Sequence, residues 1–150
     1  MRTLIQRVLK ASVTINNNKK AEIGQGLLIL VGIGNEDTEE DVEWLTHKIA
    51  NLRIFDDEDG VMNKSVIEVK GEILIVSQFT LMASYKKGNR PSWINAAKHN
   101  LSIPLYQEFC RQMTEAIGQK VQTGEFGADM KVALINDGPV TIFMDTKNKE

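Results

Sequence analysis

Ser77, Gln78 and Thr80 crowd the end of the strongest apolar run in the chain, EILIVSQFTL at 72–81. Two hydroxyls and an amide there can hold a polar ligand or orient a water. Thr80 is a nucleophile by residue type, but a nucleophile needs a base to activate it. No histidine or lysine neighbours it in sequence. The plainer reading is a strand fading into a loop. A second stretch, NDGPVT at 136–141, sits between two short apolar runs. Asn-Asp-Gly is a hairpin signal, because glycine supplies the positive φ of a tight turn. Pro139 then follows, without the N–H that a ladder would use. Gly138-Pro139 is one of three X-Pro bonds in the chain, the bond type in which cis occurs.

Other chemistries find little support. One cysteine, Cys110, and two histidines 52 positions apart leave no metal-ligand spacing. Neither a metal nor a cofactor is expected. GQG at 24–26 and GIG at 32–34 do not extend to a dinucleotide or phosphate loop, and no lysine of the Walker type follows. They read as strand punctuation. His47 reads as exposed on a helix, and His99 as a loop residue near the basic tract, with a catalytic role as the lesser reading. Cys110 beside Phe109 reads as a core or boundary thiol.

The charge is −2 overall but unevenly spread. Glu36, Asp37, Glu39, Glu40, Asp41 and Glu43 gather where a helix begins, which suits the positive end of its dipole. From Ile73 to Gln107 there is no acid, while Lys86, Lys87, Arg90 and Lys98 are basic. Such a tract can meet phosphates, or it is simply a solvated loop.

The elements that must position these residues form one domain over 1–150, with no repeat or linker. LIQRVLKASVTI reads as a strand, NNNKK as a turn and LLILVGI as a buried strand. Thr38 and Asp41 make a capping-box pair ahead of Val42, Leu45, Ile49 and Leu52, one apolar face of a helix. DDEDG at 56–60 is a turn and KKGNRPS a loop. A second helix is predicted from near Pro104, with Leu105, Phe109, Met113 and Ile117 on one face and Gly118 as its C-cap. Short strands follow around KVQTG, MKVALIN and VTIFMD. The class is α+β: a compact, mostly antiparallel, curved sheet with two main helices packed on one side. With one cysteine, no signal peptide and no apolar run long enough to span a membrane, a cytoplasmic location is expected.

SQFTL and NDGPVT together resemble the two signature motifs of the D-aminoacyl-tRNA deacylases. MR…QRV..ASVT, EIG.GLL.LVG, DTEED…WL..KI..LRIF, MN.SV, GNRPS and TGEFGADM resemble the same family in the same order, from Met1 to about Asp145. The resemblance implies a barrel-like curved sheet and a homodimer with active sites at the subunit interface. It implies hydrolysis of the ester between a D-amino acid, or mischarged glycine, and the 3′-terminal adenosine of tRNA. By it, Ser77, Gln78, Phe79 and Thr80 line the pocket for the adenosine and aminoacyl group. Gly138 and Pro139, joined by a cis bond, enter the partner's pocket and face the substrate's α-carbon. Their carbonyls reject L side chains without reading any particular one, and glycine passes the same filter.

Asn136, Asp137 and Thr141 are expected to brace that loop, with Arg7 helping. Backbone N–H groups around Gln78–Thr80 are expected to hold the oxyanion, with the substrate's 2′-hydroxyl assisting proton transfer. Lys86, Lys87 and Arg90 are expected at the acceptor end of tRNA. No DNA and no membrane partner is implied. Met82, Ser84 and Trp93 depart from the usual family residues, with effects confined to the pocket rim. The alternatives are a non-catalytic dimeric tRNA-binding module and a hydrolase of small esters.

Overall fold

The computed structural model describes residues 1–150. Its organising element is one long strand, β1 (Arg2–Ile15). Along one edge β1 pairs antiparallel with β3 (Gly26–Gly32) through residues 2–8, then with β2 (Asn18–Ile23) through residues 11–15. Its other edge carries β8 (Lys131–Asp145), also antiparallel. β3 pairs parallel with β6 (Glu72–Ser77), and β6 pairs parallel with β7 (Gln122–Thr123). β2 lies back against β6 and β7, so the sheet curls into a nearly closed barrel. A small hairpin, β4 (Phe55–Asp56) with β5 (Met62–Lys64), surrounds the acidic turn. The class is α+β, as the residue patterns indicate.

The strands explain why LLILVGI is apolar throughout. Leu27, Ile29 and Val31 of β3, with Ile73 and Ile75 of β6, face one core. The alternate residues Leu28, Leu74 and Val76 face a second core inside the curl, with Val8, Val13 and Ile23. A strand buried on both faces loses the alternation of a half-exposed one.

Two helices cover the first core. Helix α1 (Glu39–Ala50) buries Val42, Leu45 and Ile49. At its start the Asp41 carboxylate accepts from the Thr38 N–H at 2.8 Å. The acids there are more than a solvated charge cloud. Asp37 is buried and accepts from the Met1 α-ammonium at 2.5 Å, and Asp41 accepts from Lys147 Nζ at 2.8 Å.

Helix α2 (His99–Ile117) buries Leu105, Phe109 and Met113 and ends on Gly118 at φ +69°, a left-handed cap. It begins five residues before Pro104, so proline lies inside it and not in its first turn. The bond lost is the one to the Asn100 carbonyl. Asn100 is exposed, and water can serve that oxygen. His99 therefore heads a helix instead of lying in a loop.

Two strand predictions need correction. β6 stops at Ser77, and Phe79–Met82 forms a tight helical turn. The MKVALIN and VTIFMD strands are one strand, β8, held by β1 along both halves. NDGPVT is a bulge within it and joins no hairpin.

Candidate active site

Gly32 explains the turn after β6. A Cβ on Gly32 would lie 2.9 Å from the Leu81 Cβ and 3.0 Å from the Gln78 carbonyl oxygen. Only a bare backbone lets the turn lie this close to the end of β3. The Gln78 N–H donates to the Val31 carbonyl at 2.7 Å and pins the turn to the sheet. Met82, one of the departures, is buried under the turn and does not form a rim. The GIG motif is thus room for the SQFTL segment.

A cleft of about 970 Å³ opens beside this turn. Ser77, Gln78 and Phe79 form one wall, Lys98, His99 and Asn100 at the head of α2 another, and Phe126 to Met130 a third. The His99 ring meets Phe126 edge to face at 5.6 Å, and Phe126 meets Tyr106 in the same way. The Tyr106 hydroxyl donates to the Ile75 carbonyl at 3.0 Å. Burial holds that phenol well above its ordinary pKa, so it stays protonated. Burial likewise pushes the Cys110 thiol up to about 12, which makes it inert at neutral pH.

Thr80, unlike Ser77, Gln78 and Phe79, is not among the residues lining the cleft; it sits in the turn with its hydroxyl paired to the Gln78 side-chain amide. An amide cannot act as its base. The structure does bring a lysine and a histidine to the cleft, Lys98 and His99, which sequence distance concealed. Neither hydrogen-bonds Thr80. The Gln78 N–H, expected among the oxyanion donors, is committed to Val31. Of the three, the Phe79 and Thr80 N–H groups remain for that task. Phe126 and Met130 were not singled out from their residue types, although both fall within TGEFGADM; His99, read as a loop residue, instead heads α2 at the cleft wall.

The second motif is elsewhere. Gln6 pairs with Thr141 and Val8 with Asn136, so residues 137–140 bulge opposite the single residue Arg7. Asn136 closes the bulge: Oδ1 accepts from the Val140 N–H at 2.9 Å, and Nδ2 donates to the Val140 carbonyl at 3.1 Å. Nδ2 also reaches Thr141 Oγ1 at 3.3 Å, and Gln6 Nε2 donates to that hydroxyl at 3.2 Å. Arg7 Nε donates to the Asp137 carbonyl at 3.0 Å. Gly138 and Pro139 are exposed at the apex, and the bond between them is cis.

The apex is level with the start of β3, since Arg7 pairs with Leu27, whereas the cleft lies at Val31 and Ser77. That is four residues along the strand, roughly 13 Å, and two strand spacings to the side for Val31 or three for Ser77. Gly138 and Pro139 do not line the cleft of their own chain. Lys86, Lys87 and Arg90 are exposed on the loop beyond the turn.

A family model described as D-Tyr-tRNA(Tyr) deacylase matches residues 4–145. The chain belongs to this family. It is 64% identical over 150 residues to a D-aminoacyl-tRNA deacylase of Bacteroides thetaiotaomicron, covering 100% of both chains. Identity to the protein of the same name from Flavobacterium johnsoniae is 60%, again over 100% of each chain. Among solved structures it matches a c-Myc DNA unwinding element binding protein with TM-score 0.91 and 40% identity, over 97% of this chain and 99% of that one. A probable eukaryotic D-amino acid tRNA deacylase shares the fold, with TM-score 0.82 at 18% identity, over 95% and 97%. Deacylase-family membership agrees with the order of motifs along the chain.

Proposed function

We propose that this protein is a D-aminoacyl-tRNA deacylase. It adds water across the ester joining a D-amino acid, or glycine, to the 3′-terminal adenosine of tRNA, and releases the free amino acid and the tRNA. The observation that carries this reading is the cleft beside the SQFTL turn. About 970 Å³ fits a nucleoside with its aminoacyl group. One wall is polar and held rigidly, as ester hydrolysis needs.

An aminoacyl ester is activated, so the protein's task is orientation and oxyanion support. Ser77 and Gln78 position the substrate along the wall that Phe79 completes. The Phe79 and Thr80 N–H groups face the developing negative oxygen. The 2′-hydroxyl of the terminal ribose passes the proton. Thr80 supports the turn through Gln78 and does not attack.

Selection against L-amino acids falls to Gly138 and Pro139 of a second copy, entering the cleft at the subunit interface. Two features of the chain support a homodimer. The apex is too far from its own cleft to serve it. The outer edge of β8 has no neighbouring strand, and Val132, Ile135 and Phe143 are exposed on that strand. A 15-residue open edge with apolar residues invites pairing. Backbone carbonyls at the apex accept from the α-ammonium and occupy the direction an L side chain takes. The 1–150 unit acts as one domain, in the cytoplasm, and Lys86, Lys87 and Arg90 meet the acceptor end.

The test uses D-tyrosyl-tRNA and L-tyrosyl-tRNA, without added metal. Selective release of the D-amino acid is expected. Slow, unselective loss would mark a tRNA-binding module. Turnover of a free D-amino acid ester matching that of the tRNA substrate would mark a small-ester hydrolase.

A further inference from the structure

Phe79 and Trp93 meet edge to face, with ring centroids 5.1 Å apart and planes at 74°. Phe79 lines the cleft, yet the two residues stay 56% and 41% exposed. Aromatic pairs usually contribute by being buried, so a half-open pair at a cleft mouth offers a face to something else. Its mounting is firm. Ser84 and Ser92 exchange backbone hydrogen bonds of 2.8 Å each, which close the neck of a loop. Trp93 follows that neck directly. On its other side Asn35 Nδ2 donates to the Ile94 carbonyl at 2.8 Å, and the Ala97 N–H donates to the Ile33 carbonyl at 2.9 Å. The loop tip beyond the neck carries Lys86, Lys87 and Arg90 and no acid. Phe79 thus lines the cleft, Trp93 packs on it without lining the cleft, and the three cations lie on the loop past the neck.

We propose that Phe79 and Trp93 form a stacking step for the unpaired nucleotide that precedes the terminal adenosine, and that the tip cations take the adjoining phosphates. This rests on the deacylase reading above. Aromatic faces beside a basic track are how single-stranded nucleic acid is held without regard to sequence.

Two substrates separate the step from the cleft: D-tyrosyl-tRNA, and 3′-D-tyrosyl-adenosine, which lacks the preceding nucleotide. In Trp93→Ala the ratio of their kcat/KM values, tRNA over adenosine, is expected to fall about tenfold, the loss of one stacked base. The loss lies in KM, and Trp93→Phe restores most of it. An unchanged ratio, or an equal loss on both substrates, would overturn the proposal.

A second measurement keeps the wild-type residue in place. With Trp44→Phe as background, Trp93 is the one remaining tryptophan. Its fluorescence is expected to be quenched by the trinucleotide CCA and not by adenosine alone. Equal responses to the two would overturn the step. If wild-type protein releases nothing from either substrate, the deacylase reading fails, and the CCA titration still decides the stacking step.

Discussion

Arg7 ties the Asp137 carbonyl, at 3.0 Å from Nε, to the Ile54 carbonyl, at 2.6 Å from Nη1. One buried guanidinium thus joins the bulge of β8 to the segment that enters β4. It also faces the carboxylates of Asp56 and Asp137, each at 3.2 Å. Arg7→Ala leaves two carbonyls without their donor, while the carboxylates stay partly solvated, and is expected to cost about 1–3 kcal/mol in a denaturant titration. Arg7→Lys keeps the charge but loses the fork, so it cannot hold both carbonyls. That variant is expected to stay folded and release L-amino acids faster, with D release little changed. An unaltered ratio of D to L release would show that Arg7 supports the fold without setting the apex.

Gly32→Ala should disturb the site more than the fold. The added methyl meets Leu81 and the Gln78 carbonyl at about 3 Å and pushes the turn outward. Overpacking of this kind costs about 1–3 kcal/mol. Misplaced Phe79 and Thr80 N–H groups are expected to lower kcat by roughly 10²-fold. Full kcat in a destabilised variant would detach the turn from the chemistry.

Thr80→Ala separates the two catalytic schemes. With its hydroxyl paired to the Gln78 amide, Thr80 has no base. The variant is expected to retain kcat within about tenfold. Loss of a true nucleophile costs on the order of 10⁴-fold or more, and single-turnover release from D-tyrosyl-tRNA reads the difference directly.

Lys86 and Lys87 act through charge. The Lys86→Ala, Lys87→Ala double variant is expected to bind tRNA more weakly at low salt. Its plot of log affinity against log salt should be shallower by about 1.4, at roughly 0.7 per phosphate on a single strand. Parallel plots would remove these lysines from the interface.

Acid should loosen the start of α1. Burial alone would raise the pKa of Asp41. Lys147 Nζ and the Thr38 N–H outweigh it and hold the carboxyl well below the usual range. The folded value is depressed, so the stabilisation is complete above the unfolded value near 4. It is lost as pH falls from there through the folded value. The denaturant midpoint is expected to stay level from pH 7 to 5 and then drop, with Asp41 accounting for on the order of 2 kcal/mol. Asp41→Asn should be less stable at neutral pH and show a smaller acid drop.

Local patterns made some elements readable and concealed others. Helix α1 was legible because Val42, Leu45 and Ile49 repeat on one face and Thr38 with Asp41 mark its start. The start of α2 was not, because a proline that suits a first turn also fits where the lost partner, the Asn100 carbonyl, meets water. β6 looked longer than it is because its apolar run continues past Ser77. What ends it is open space at Gly32, more than 40 residues earlier. β8 looked like two strands because Asn-Asp-Gly is a turn signal and Pro139 interrupts a ladder, whereas the pairing of both halves comes from β1. In the cleft, Ser77, Gln78 and Phe79 were legible as a motif. Lys98, His99 and Phe126 were not, since only the placement of α2 and the 126–130 segment brings them to the same wall.

The bulge in β8 sets residues 137–140 against Arg7 alone, between the pairs Gln6–Thr141 and Val8–Asn136. Both halves of the strand are therefore registered independently of the number of residues between them. A change in the length of this segment is therefore expected to leave the faces of both flanking halves unchanged. The apex is a replaceable cartridge in a fixed frame. Its reach could be re-engineered by insertion or deletion while the barrel that carries it stays the same.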